Sequence, residues 1–103
     1  MEKKTPHYDL GCIQADVRRL GAVAFTKSAL DGGRSMGLKL EQMQRVVASL
    51  ERRALYKSMT THADHTVWQD VYHTHAYGLV IYIKVTYRPT GGPPVIAFKE
   101  KQL

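Results

Sequence analysis

The segment GLVIYIKVTYR, residues 78–88, decides the fold. Leu79, Ile81, Ile83, Val85 and Tyr87 alternate with Val80, Tyr82, Lys84, Thr86 and Arg88. Side chains point to opposite faces of a strand in turn. One face of this segment is therefore wholly apolar and the other mostly polar. That is the pattern of an antiparallel strand covered on one side only.

The neighbouring segments extend the same sheet. PTGGPP (89–94) makes a turn, and VIAFKEK (95–101) is the last strand, with Ile96 and Phe98 on one face and Ala97, Lys99 and Lys101 on the other. Upstream, YKSMTTH (56–62) and TVWQDVYH (66–73) are β-rich runs joined through Ala63-Asp64-His65, which reads as a hairpin. The first half of the chain supplies the cover. Leu10, Ile13, Val17 and Leu20 recur at helical spacing, with Gly21 as a stop. Thr26 caps a short second helix through Ser28, Ala29 and Leu30, which ends at the Gly32–Gly33 pair. A third helix runs over LKLEQMQRVVASL (38–50), with Leu40, Met43, Val46, Val47 and Leu50 on one stripe. Helices followed by strands predict an α+β fold: N-terminal helices packed on one face of an antiparallel β-sheet, as one domain over 1–103.

Composition narrows the partners. Hydrophobic residues make up 44% of the 103, too many for a chain disordered by composition. No apolar run approaches the roughly 18–20 residues of a membrane span, and the opening MEKKTPHYDL lacks the apolar stretch of a secretory signal. Cys12 is the only cysteine, so neither an internal disulfide nor a cysteine-based zinc knot is available; the cytosol is the expected compartment. Fifteen Lys and Arg against nine Asp and Glu give a net charge of +6, with both halves of the chain basic. Such an excess points to an anionic partner. With helices over Ile81, Ile83 and Phe98, the opposite face presents Tyr82, Lys84, Arg88, Lys99 and Lys101. Cations interleaved with a tyrosine suit a phosphate backbone and an unstacked base.

SMTTHADHTVWQDVYHTH (58–75) holds four of the five histidines. His73 and His75 sit two apart, a spacing that puts both rings on one face of a strand and permits zinc. No acidic or thiol ligand completes an established pattern around them. Two imidazoles also suit acid–base cleavage of RNA. However, His62 and His65 bracket a turn, and His73 and His75 lie at the far end of a strand.

The opening MEKKTPH, the central LYKSMTTHADHTVWQDVY and the closing FKEK strongly resemble the motility quorum-sensing regulator toxins. These are small messenger-RNA interferases of bacterial toxin–antitoxin pairs, and the resemblance covers nearly the whole chain in order. It implies a RelE-like α+β fold. It implies cleavage of single-stranded messenger RNA, at GCU above all, to 2′,3′-cyclic phosphate and 5′-hydroxyl ends without a metal or cofactor. It also implies an antitoxin related to the zinc-binding, DNA-binding MqsA, through which promoter DNA is contacted. The family's residues carry over as Lys57 of YKS, Gln69 of WQDVY, Tyr82 of VIYIK and Lys99 of FKEK. Tyr77 and Tyr87 compete with Tyr82, and alternation favours Tyr82 because Tyr87 lies on the apolar face. Lys84, Arg88 and Lys101 are expected to contact phosphates. His7 and His65 fall in matching segments and stand as secondary candidates. His62, His73 and His75 lie outside the family framework and are expected to be dispensable. Two other functions suit the same residues: a basic sheet that holds RNA without cutting it, and a zinc-dependent hydrolase built on the histidines.

Overall fold

Register in the sheet is set by a two-residue turn. In the computed structural model, which describes residues 1–102, β3 (Trp68–Ala76) returns as β4 (Leu79–Thr86) through Tyr77 and Gly78 alone. Both have positive φ, 54° and 74°. A turn of this kind matches the twist of paired strands and leaves no slack. Ala76 therefore faces Leu79, Thr74 faces Ile81, and His73 faces Tyr82. Strands β2 (Leu55–Thr60) and β5 (Val95–Glu100) lie on either side. A short β1 (Glu2–Lys3), which the sequence pattern does not announce, pairs with β2 at the outer edge. The sheet order is β1-β2-β3-β4-β5, with every neighbouring pair antiparallel.

The apolar face of β4 is the floor of the core. Ile81, Ile83 and Val85 are fully buried with Tyr72, Ile96 and Phe98. Three helices cover them: α1 (Leu10–Leu20) through Ile13 and Val17, α2 (Lys27–Ser35) through Ala29, and α3 (Leu40–Ala48) through Met43, Val46 and Val47. Capping follows the sequence. Asp9 accepts from the Cys12 N–H at 3.0 Å, and Thr26 from the Ala29 N–H at 3.0 Å. The side-chain amide of Gln14 donates to the carbonyls of Val47, Ala48 and Leu50 at 3.0–3.1 Å. These carbonyls lie at and just past the end of α3, so a side chain of α1 helps to close that helix end.

Several boundaries differ from the sequence reading, among them β3, which runs on to Ala76, and two have a clear physical reason. Helix α2 does not stop at Gly32–Gly33 but runs to Ser35. A side chain at Gly32 would be driven into the Phe98 carbonyl of β5, and one at Gly33 into the Met43 sulfur. The glycines are there for close approach, and tertiary packing overrides their poor helix propensity. Strand β4 ends at Thr86 instead of Arg88. Tyr87 turns into the helical layer, where its hydroxyl donates to Asp16 at 2.7 Å and its ring packs on Tyr8. Arg88 begins the turn closed by the Gly91 N–H.

Buried polar groups hold the N-terminus down. Asp70 is fully buried. It accepts from the Ser58 hydroxyl at 2.6 Å and from the backbone N–H groups of His7 and Tyr8 at 3.0 and 2.9 Å. By contrast, the Tyr72 hydroxyl is buried with no partner among the described residues. Burial, then the nearby Asp70 charge, pushes it up to about 12. An unpaired buried hydroxyl costs about 1–3 kcal/mol in desolvation. Tyr72→Phe is expected to leave the fold intact and raise stability by about 1 kcal/mol, read as a higher urea midpoint at unchanged m-value. Among the described residues no helix is long and apolar enough to cross a membrane.

Candidate active site

The face of the sheet away from the helices is built by register. Lys57 pairs with Val71, Val71 with Lys84, and Lys84 with Ala97. One row over, His73 pairs with Tyr82 and Tyr82 with Lys99. Gln69 lies on the same face of β3, two residues before Val71 and opposite Met59. Lys57, Gln69, Tyr82 and Lys99 thus project from four strands onto one uncovered face. Val71, only 1% exposed, lies beneath them as an apolar floor outside the main core.

A β-bulge adds a fifth group. Leu55 pairs with Tyr72 and Lys57 with Val71, so β2 advances two residues while β3 advances one. The extra residue, Tyr56, and Lys57 both reach the open face, as bulged residues can. Tyr56 is half exposed and stacks on His73, with ring centres 4.5 Å apart and planes 19° apart. His73 in turn leans on Tyr82, 5.8 Å between centres. Lys57 stands 5.6 Å from the Tyr56 ring centre, and Lys99 stands 5.0 Å from that of Tyr82. The result is a ladder of three rings across three strands, with a cation at each end.

Charge on this face is fixed by its neighbours. The Lys57 ammonium is bound to Glu2 of β1 at 3.1 Å. That hydrogen bond and the carboxylate charge raise Lys57 above the ordinary lysine value, and the same contact lowers Glu2. Lys57 is therefore a cation at neutral pH and not a base. Burial raises Tyr82, opposed by the Lys57 charge, so its phenol keeps its proton at neutral pH. Burial lowers His73, helped by Lys101.

Two grooves meet this ladder. One, of about 620 Å³, passes Tyr82, Lys99 and Lys101 towards Ser35 and Met36 at the end of α2. The other, of about 580 Å³, runs beside His73 and His75 under Arg45 and Arg53. It follows the stretch of β3 beyond Tyr72, where β2 no longer pairs.

Not every residue singled out from the sequence lies here. Lys84 stands on the open face, and Lys101 follows β5 with its N–H on the Val80 carbonyl. Arg88 sits in the turn past β4, at the rim. His7 is on the other side of the sheet, stacked on Trp68 at 4.9 Å. His65 is exposed in the loop joining β2 to β3. Tyr77 occupies the β3–β4 turn, where its hydroxyl accepts from Arg45 at 3.2 Å, and Tyr87 is in the helical layer. Of these three tyrosines Tyr82 alone reaches the open face. Sequence reasoning set His73 aside, yet the register puts it at the centre of the ladder. Its signal was available: it follows Gln69 and Val71 at a spacing of two. Among the described residues no three His, Cys, Asp or Glu side chains gather in a way that could hold a metal.

Comparison with known proteins decides the family. The profile of the motility quorum-sensing regulator, toxin of MqsA, matches residues 5–100. This chain belongs to the MqsR toxin family. The mRNA interferase toxin MqsR of Escherichia coli (strain K12) is 40% identical over 101 residues, spanning 98% of this chain and all of its own length. An MqsR-family chain of this similarity is a homologue of an mRNA interferase, an endoribonuclease by class. The four residues carried over from the MqsR resemblance all lie on the open face.

Proposed function

We propose that this chain is the toxin of a toxin–antitoxin pair and acts in the cytoplasm as a metal-independent endoribonuclease on single-stranded messenger RNA. In this reading residues 1–103 form one catalytic domain, which prefers GCU-like sites. An MqsA-like antitoxin restrains it, and promoter DNA is met only through that partner. What supports the reading is the cross-strand register that aligns Lys57, Gln69, Tyr82 and Lys99 on the face left free by the helices.

RNA carries its own nucleophile, the ribose 2′-hydroxyl. Cutting requires that oxygen to be held in line with the adjacent phosphorus, and the extra charge on the phosphorane to be met. Two fixed ammonium groups on either side of a ring ladder suit the second task. The exposed Tyr56 ring and the Gln69 amide suit the first, by stacking and by hydrogen bonding to the sugar or a base edge.

The test is incubation of the purified chain with a GCU-containing RNA and with the same RNA carrying a 2′-deoxy sugar at the scissile position. The expected result is cleavage of the first alone, with cyclic phosphate ends, unaffected by a chelator. Binding of the deoxy form should weaken with salt at a slope near −0.7 per phosphate contact, and Lys84→Ala and Lys101→Ala should each make that slope shallower. RNA that is bound but stays whole would make this a binding module. Activity lost to a chelator and restored by zinc would make it a metal-dependent hydrolase.

A further inference from the structure

We propose that His73 is the general base of this site, the group that takes the 2′-hydroxyl proton. The proposal rests on the endoribonuclease reading and deepens it. It begins from position. His73 is opposite Tyr82 in register and lies between Tyr56 and Tyr82, the middle rung of the ladder. One face of the imidazole is covered by the Tyr56 ring, and Tyr82 stands beside it at a 39° tilt, 5.8 Å between centres. Neither ring nitrogen has a hydrogen-bond partner among the described residues. In a neutral imidazole one of these nitrogens carries the hydrogen and the other, with its lone pair unengaged, can accept a proton.

The other groups on the face are poor bases at neutral pH. Lys57 is held as an ammonium by Glu2. The Glu2 carboxylate is engaged by Lys57 and depressed, which makes it a weak proton acceptor. Gln69 does not titrate. Tyr82 retains its proton, because burial raises it. His73 is shifted the opposite way, by burial and then by Lys101, so its lone pair is free at pH 7. The groups facing it are Tyr56 and Lys57 from β2, Tyr82 from β4, and Lys99 and Lys101 from the β5 side. On the groove side are Glu51 and Arg53, paired with each other at 2.9 Å. Glu2 is engaged by Lys57 and Glu51 by Arg53, and Lys101 is the cation that favours the neutral ring. Two adjacent groups whose protonation is pushed apart in this way are the mark of an acid–base pair.

The step balances. The 2′-hydroxyl proton passes to a His73 nitrogen as the 2′-oxygen bonds to phosphorus. The bond from phosphorus to the 5′-oxygen breaks, and that oxygen takes the proton of the Tyr82 hydroxyl. A 2′,3′-cyclic phosphate and a 5′-hydroxyl result. Water then restores the proton to Tyr82 and removes the one on His73. Lys57 and Lys99 meet the transient charge from the two ends.

The experiment is single-turnover cleavage of a GCU-containing RNA over pH 5–9 by the full chain and by His73→Gln. Binding of the 2′-deoxy RNA is measured in parallel. A base must be deprotonated, so the wild-type rate should fall as pH drops through a midpoint below 6.5, the ordinary histidine value. His73→Gln should lose that limb and roughly 10²-fold or more in rate at pH 7, while binding the deoxy RNA within about threefold. Added imidazole should restore part of the rate of His73→Ala, which a merely structural role does not allow. Cleavage by His73→Gln within about tenfold, with the acid limb retained, overturns the assignment and leaves the endoribonuclease reading standing. A wild-type profile flat from pH 5 to 7 overturns it without any variant. A wild-type chain that leaves the RNA whole overturns both.

Discussion

Lys57→Ala and Lys99→Ala should each lower the single-turnover rate of RNA cleavage by roughly 10²-fold or more, the usual loss when one donor to a developing charge is removed. Each ammonium stands at one end of the Tyr56–His73–Tyr82 ladder. Neither belongs to the core, so circular dichroism and the melting curve should change little. Most of the effect should fall on the chemical step, since a phosphorane carries more charge than the phosphate it comes from. Lys57→Arg should recover less than charge alone suggests. The planar fork cannot reproduce a point ammonium seated on Glu2 at 3.1 Å. Losses below tenfold in both alanine variants, measured at saturating enzyme, would remove the two lysines from the reaction.

Asp70→Ala should be strongly destabilising, at about 3–5 kcal/mol. It strands the Ser58 hydroxyl and the His7 and Tyr8 N–H groups, and each unsatisfied buried donor costs about 1–3 kcal/mol. A domain of this size has about 5–15 kcal/mol in total, so the melting temperature should drop steeply. Part of the loss should be local. Residues 1–8 are tied to the sheet through this carboxylate, and β1 carries Glu2 to Lys57. Hydrogen exchange at Lys3 and Ser58 should therefore quicken before the rest of the sheet opens. A loss under about 1 kcal/mol by urea titration would mean that water or a shifted backbone satisfies those donors.

Much of the architecture was legible because periodicity is a strong signal. The alternation of β4 announces the face that Ile81, Ile83 and Val85 bury, and with it the face that carries Tyr82 and Lys84. Leu10 to Leu20 and Leu40 to Leu50 give their helical stripes in the same way. What was illegible depends on contacts distant in sequence. Glycine at 32 and 33 looks like a helix stop until β5 and α3 are brought against it. Strand β1 has no apolar pattern of its own and exists because Asp70 and β2 receive it. His73 lies outside the family framework and at the end of the strand that the sequence predicts. That strand continues to Ala76, and only the Tyr77–Gly78 turn reveals that Tyr82 comes back alongside. The resemblance supplied four site residues by type; the register supplied their shared face.

The bulge in β2 bears on how such a face is acquired. If Tyr56 were excised, Leu55 would still meet Tyr72 and Lys57 would still meet Val71. An extra residue at this point therefore gives the surface a ring without exchanging the two faces of the strand. Position 56 is a graft point: its side chain can be swapped while the residues before and after it keep their partners. Ancestry and laboratory selection can both explore that slot without disturbing the lysine beside it.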